Sequence, residues 1–125
     1  MEEKKRKREI ELDLNKTKEF ITKEWDESII PALIEYVKIP NQSPAYDDQW
    51  ETNGELDKAL NLIIEWIKKQ NLKGSKLEVI KEKGRTPLLF ITCDATPLSS
   101  PLLPTTLIYG HFDKQPPLFE EWEEA

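Results

Sequence analysis

Leu88-Leu89-Phe90-Ile91 is a nearly continuous apolar run inside the stretch from Pro87 to Thr92. A strand with one wet face alternates apolar and polar side chains, whereas a strand covered on both faces reads as an unbroken apolar run. This segment therefore asks for a sheet with material on each side. The chain around it has 125 residues and an apolar share of only 38%, so it can bury a modest core. Belonging to something larger, or carrying a disordered arm, would account for so polar a composition.

Two helical stretches precede the run. From about Lys18 to Ile39, Phe20, Ile21, Trp25, Ile29, Leu33, Tyr36 and Val37 recur at three- and four-residue steps and make one apolar stripe. Pro31 interrupts it, because an interior proline removes a hydrogen bond and clashes one turn back. The helix either restarts near Glu27 or Ser28, or kinks there, and Pro40 ends it. Residues 41 to 53 read as loop. In the second helix Leu56, Leu60, Ile63 and Ile67 form the buried face, Thr52 and Glu55 stand at capping-box spacing, and Gly74 ends the segment.

Strand signals follow. Lys76 to Lys81 alternates, with Leu77 and Val79 on one face, and Glu82-Lys83-Gly84-Arg85 supplies a turn to the apolar run, so these two segments form a hairpin. Asp94 to Pro104 is a proline-rich loop. Thr105 to Tyr109 reads as a third strand and leads directly into Gly110-His111-Phe112-Asp113. The expected organisation is a charged N-terminal arm over residues 1–16 and an α/β body over residues 17–125.

The charge balance, 24 acidic against 18 basic residues, argues against broad nucleic-acid binding, which needs a clustered positive surface. Lys4 to Arg8 is a compact basic run of the kind found in nuclear addresses and nucleic-acid tails. Its neighbours Glu2, Glu3, Glu9 and Glu11 cancel the local field and favour a solvated, frayed helix start. The single cysteine, Cys93, cannot form an internal disulfide and suits a small strand-end residue. The N-terminus has no apolar segment of a secretory signal, and no stretch is apolar enough to span a membrane. A cytoplasmic protein with neither a membrane nor a nucleic-acid partner is the expectation.

His111 is the only histidine. It follows an apolar segment and a glycine, at the place where α/β sheets gather ligands, and an acid stands two residues on. A metal-ligating imidazole usually gives its other N–H to a carboxylate, which fixes its tautomer and raises its basicity. In an extended segment residues 111 and 113 point to the same side, so His111 and Asp113 have the spacing of an acid–histidine–metal relay. The same spacing also describes a surface histidine beside a carboxylate, and zinc needs three or four ligands.

The string Leu107-Ile108-Tyr109-Gly110-His111-Phe112-Asp113-Lys114-Gln115-Pro116-Pro117, with Trp122 beyond it, closely resembles the first metal motif of the dinuclear zinc peptidases that include carnosinase, aminoacylase, succinyl-diaminopimelate desuccinylase and glutamate carboxypeptidase. Upstream, Ile30 to Pro44 resembles the opening helix and Ile-Pro-x-x-Ser-Pro turn of the dipeptidase branch. Trp50, Asn53-Gly54 and Gly84-Arg85-Thr86-Pro87-Leu88 fit that branch too. The resemblance covers about residues 20 to 125.

The resemblance implies an incomplete N-terminal part of a zinc-peptidase catalytic domain, with two main helices and about three strands, truncated at its C-terminal end. It assigns His111 as a zinc ligand and Asp113 as the catalytic acid that orients it. The family's bridging aspartate, general-base glutamate and remaining ligands have no counterpart here. The cluster Glu120, Glu121, Glu123 and Glu124 matches no family motif and reads as solvated loop. Family activity is zinc-dependent hydrolysis of peptide or amide bonds in a peptide or dipeptide substrate, with two zinc ions in the complete site. Family members are often homodimeric through a domain absent here. The isolated chain is expected to hold zinc weakly and to be inactive. The alternative is a non-enzymatic binding or regulatory module that keeps the N-terminal fold.

Overall fold

A computed structural model describes residues 12–95 and 104–118. The basic run Lys4 to Arg8, Trp122, the acidic cluster Glu120 to Glu124 and the centre of the proline-rich loop lie outside the described residues. The described chain is a small α/β protein with two helical segments and a two-stranded antiparallel sheet. It divides into two units, one running to Glu35 and one beginning at Tyr36.

The first helical segment starts earlier than its apolar stripe suggests. Asp13 is the N-cap, and its Oδ1 accepts from the backbone N–H groups of Asn15 and Lys16 at 3.1 Å each. Two of the first turn's orphan donors are thereby satisfied. Helix α1 spans Leu14–Glu24, a π-helical turn spans Trp25–Ile29, and helix α2 spans Ile30–Val37. The wide turn is how the chain accommodates Pro31. The Ile30 N–H reaches back five residues to the Trp25 carbonyl, so the helix widens just before the residue that has no N–H to give. The stripe does not build a core among the described residues: Phe20, Ile21, Trp25, Leu33 and Val37 are all exposed.

Helix α3, Glu55–Gln70, carries the core of the second unit. Leu56, Ala59 and Leu60 are buried on one stripe, with Ile63 and Ile67 half-buried along it. Its start departs from the expected capping box. Gly54 takes a left-handed φ of 77° and is the N-cap, so Glu55 is the first helical residue rather than the third. Asn53 Oδ1 accepts from the Glu55 N–H at 3.0 Å, and Asp47 braces Asn53 by accepting from its Nδ2 at 2.6 Å. Thr52 turns back to the Gln49 carbonyl instead. At the other end the left-handed residue is Asn71, φ 48°, three residues before the expected Gly74. Gly74 serves the turn into the sheet.

Strand β1, Ser75–Ile80, pairs antiparallel with β2, Leu88–Cys93, in the register Leu77↔Ile91 and Val79↔Leu89. The hairpin and its turn match the sequence reading, and Cys93 is exposed at the end of β2. Contacts from α3 and the loop before it help to hold the hairpin. The Gly84 N–H donates to Glu51 Oε1 at 3.0 Å, and Lys81 pairs with Asp57 at 2.7 Å. Cover on both faces is not realised among the described residues. Leu77 and Leu89 are half-buried while Leu88, Phe90 and Ile91 are exposed, because a two-stranded ribbon has too little neighbouring material to bury them.

The third strand is not formed. Thr105 to Tyr109 pairs with neither strand of the hairpin, and Leu107, Ile108 and Tyr109 are each at least 85% exposed. β-forming side chains favour a strand only where a neighbour completes the ladder, and this segment has none among the described residues.

Candidate metal-ligand segment

The Gly110-His111-Phe112-Asp113 segment is held from its far side. Phe112 and Lys114 bracket Asp113, and both are fastened to the chain that follows α2. The Lys114 N–H donates to the Asn41 carbonyl at 2.9 Å and the Ser43 N–H donates to the Lys114 carbonyl at 2.8 Å. These two bonds form an isolated parallel bridge between Gln42 and Lys114.

Side chains add to the bridge. Tyr36 Oη donates to the Phe112 carbonyl, and Asn41 Nδ2 donates to the same oxygen at 2.5 Å. Lys114 Nζ donates to the Tyr36 and Ile39 carbonyls at 2.6 and 2.5 Å and lies 4.0 Å from the centroid of the Tyr36 ring. A helix end leaves its last carbonyls unpaired, and a cation there suits the dipole. The ring face adds a cation–π contact. Asn41 is fully buried, and its Oδ1 has no protein partner.

Burial shapes the ionisation of both side chains in this clip. Desolvation raises the Tyr36 phenol above its ordinary value, opposed by the Asn41 hydrogen bond and aided by the Asp113 charge. Desolvation lowers the Lys114 ammonium.

His111 sits on the outer side of this anchorage. Its Nδ1 lies 2.8 Å from Asp113 Oδ1 and 3.1 Å from the Asp113 carbonyl oxygen. Both are acceptors, so in the neutral ring this geometry places the proton on Nδ1 and the lone pair on Nε2. The ring is 71% exposed and the carboxylate 28%. Tyr109 to Asp113 line a cleft of about 350 Å³ whose opposite wall is Leu56, Ile63 and the Thr86–Leu89 stretch.

The two sequence-predicted site residues are thus in contact. The strand that was to aim them is absent, and the hydrogen-bonded clip fixes the segment in its place. Sequence reasoning missed Tyr36, Asn41 and Lys114 as structural partners. They lie 71 to 78 positions from the groups they hold, and nothing in the neighbouring sequence marks them. Among the described residues no group of three or more His, Cys, Asp or Glu side chains comes together. No helix there is long and apolar enough to cross a membrane.

In comparison with known proteins, no protein-family model matches this chain and no curated protein is significantly similar to it.

Proposed function

We propose that this chain carries the first zinc-ligand segment of a metallopeptidase related to the dinuclear zinc dipeptidases, hydrolysing peptide or amide bonds when the rest of a site is supplied. The observation that supports this reading is the 2.8 Å contact between His111 Nδ1 and Asp113 Oδ1. A carboxylate holding the Nδ1 proton leaves Nε2 as a basic ligand, which is the arrangement that metal-binding imidazoles use. The donor set fits one position of a zinc site and no more, since zinc needs at least three protein ligands to act as a catalyst.

In this reading His111 presents Nε2 and Asp113 fixes its tautomer and ring orientation. Phe112 and the cleft wall formed by Leu56, Ile63 and Leu89 keep one side of the site apolar. Zinc, once bound, supplies Lewis-acid polarisation of a carbonyl and a lowered pKa for bound water. No group among the described residues supplies the general base or the bridging ligand, and in this reading the chain by itself binds zinc weakly and does not turn over.

The test is a zinc titration followed on the ring nitrogens of His111 by ¹⁵N NMR, where the lone histidine gives one unambiguous pair of signals. Zinc should perturb Nε2 first, and His111→Ala should abolish the response. A zinc-indifferent imidazole in a stable, monomeric protein would favour the non-enzymatic binding module instead.

A further inference from the structure

We propose that Lys114 is the positioning residue of the His111–Asp113 pair, acting as a cationic bolt between the end of α2 and the segment that carries the pair. The inference deepens the metal-ligand reading and rests on it for its meaning, yet its test needs no metal.

The segment has little else to hold it. Upstream, Thr105 to Tyr109 makes no ladder among the described residues and is almost fully exposed. Gly110 has open space around it, with nothing within 4 Å of where a Cβ would stand. Downstream, the hydrogen-bonded anchors among the described residues fall on the two residues flanking Asp113. The Phe112 carbonyl takes the Tyr36 and Asn41 donors, and the Lys114 backbone takes the two bridge bonds.

The Lys114 ammonium closes the arrangement by tying the Tyr36 and Ile39 carbonyls to the same strand of chain. It is half-buried against the Tyr36 ring, so it does not swing freely in water as a surface lysine does. Removing the ammonium takes its donor from the Ile39 carbonyl, leaves the Tyr36 carbonyl with the Ile39 N–H at 3.2 Å, and loosens the Tyr36 ring that carries the hydroxyl on Phe112. The peptide groups on both sides of Asp113 then lose their fixed position. The 2.8 Å contact between a carboxylate and an imidazole two residues apart is held more persistently when the intervening backbone is fixed.

The experiment measures the His111 ring ¹⁵N shifts in the full chain at pH about 9, where an ordinary imidazole is neutral and the shifts report its tautomer. Asp113→Ala sets the value for an unpaired ring. Lys114→Met should move the signals at least halfway from the wild-type value to that reference, with the amide signals of the β1–β2 hairpin unchanged. Lys114→Arg, which keeps a cation with N–H donors at this position, should stay nearer the wild type than Lys114→Met. Wild-type shifts in Lys114→Met overturn the proposal. If Lys114→Met loses the hairpin signals, Tyr36→Phe takes its place: it deletes one hydroxyl, and movement towards the reference supports the clip while wild-type shifts overturn it. Coincidence of the wild type with Asp113→Ala would overturn the pair itself, and with it the metal-ligand reading.

Discussion

His111 Nδ1 and Asp113 Oδ1 lie 2.8 Å apart on a segment that borrows its rigidity from Tyr36, Asn41 and Lys114. A carboxylate in that position raises the basicity of the opposite ring nitrogen and restricts ring rotation. Loss of such a partner typically weakens metal binding about 10–100-fold. Asp113→Ala should therefore raise the zinc concentration needed to perturb the His111 Nε2 signal by about tenfold or more, with little effect on the hairpin. Equal zinc response in the two proteins would mean that His111 binds zinc as any surface histidine does.

Peptidase activity is expected to be absent in the purified chain with zinc, cobalt or manganese. One imidazole cannot make a catalytic site of three protein ligands with an open position, and among the described residues no group of three or more His, Cys, Asp or Glu side chains comes together. Dipeptide hydrolysis that depends on added metal and disappears in His111→Ala would overturn this expectation.

The alkaline limb of the stability profile should carry the signature of Tyr36. Burial holds its phenol above the ordinary value. As pH rises past about 10 the unfolded chain gives up this proton first, so the folded state loses its advantage as pH climbs through the raised value. Tyr36 thus contributes fully below the ordinary pKa and progressively less above it. Lys114 acts in the opposite sense: its lowered value costs the folded state while the group must stay charged, and that cost is relieved at higher pH. Tyr36→Phe isolates the phenol. Urea midpoints measured at pH about 8 to 11 should fall less steeply in the variant than in the wild type. Parallel profiles would show that the hydroxyl is not buried in the clip.

The parts of the fold that sequence reasoning found are those set by neighbours in the chain. The Leu56–Leu60–Ile63–Ile67 stripe follows from a 3.6-residue period, and the hairpin follows from two β-rich runs around Gly84. The misses have non-local or competing local causes. Gly54 takes the cap from Thr52 because a left-handed residue stops the helix before a side-chain cap can act. The interruption expected near Glu27 or Ser28 is present as the π-turn Trp25–Ile29, and only its type leaves no mark in hydrophobic periodicity. Thr105 to Tyr109 has the composition of a strand, but pairing needs a partner that composition does not reveal. The clip joins residues 71 to 78 positions apart, so it has no local signal. The pair it positions was visible because its two members are only two residues apart.

The second unit should be marginally stable, and Leu60 should hold most of what stability it has. Its buried apolar side chains among the described residues are Leu56, Ala59 and Leu60, with Leu60 at 2% exposure. Beside them, Leu56, Ile63 and Leu89 line the cleft of about 350 Å³, and a side chain facing open space forfeits dispersion contacts on that side. A stable domain usually exceeds about 5 kcal/mol, and this core should fall below that figure. Truncating a fully buried leucine costs about 2–5 kcal/mol, so Leu60→Ala should abolish the cooperative transition altogether. Leu107→Ala, at a side chain that is 85% exposed, should leave the urea midpoint unchanged. The measurement is a urea titration followed by tryptophan fluorescence, with Trp50 and Trp66 reporting from this unit, run beside size-exclusion chromatography. A wild-type monomer unfolding in one sharp transition well above about 5 kcal/mol would show that the exposed apolar segments are an ordinary surface of a self-sufficient domain. The binding-module reading would then become the stronger one.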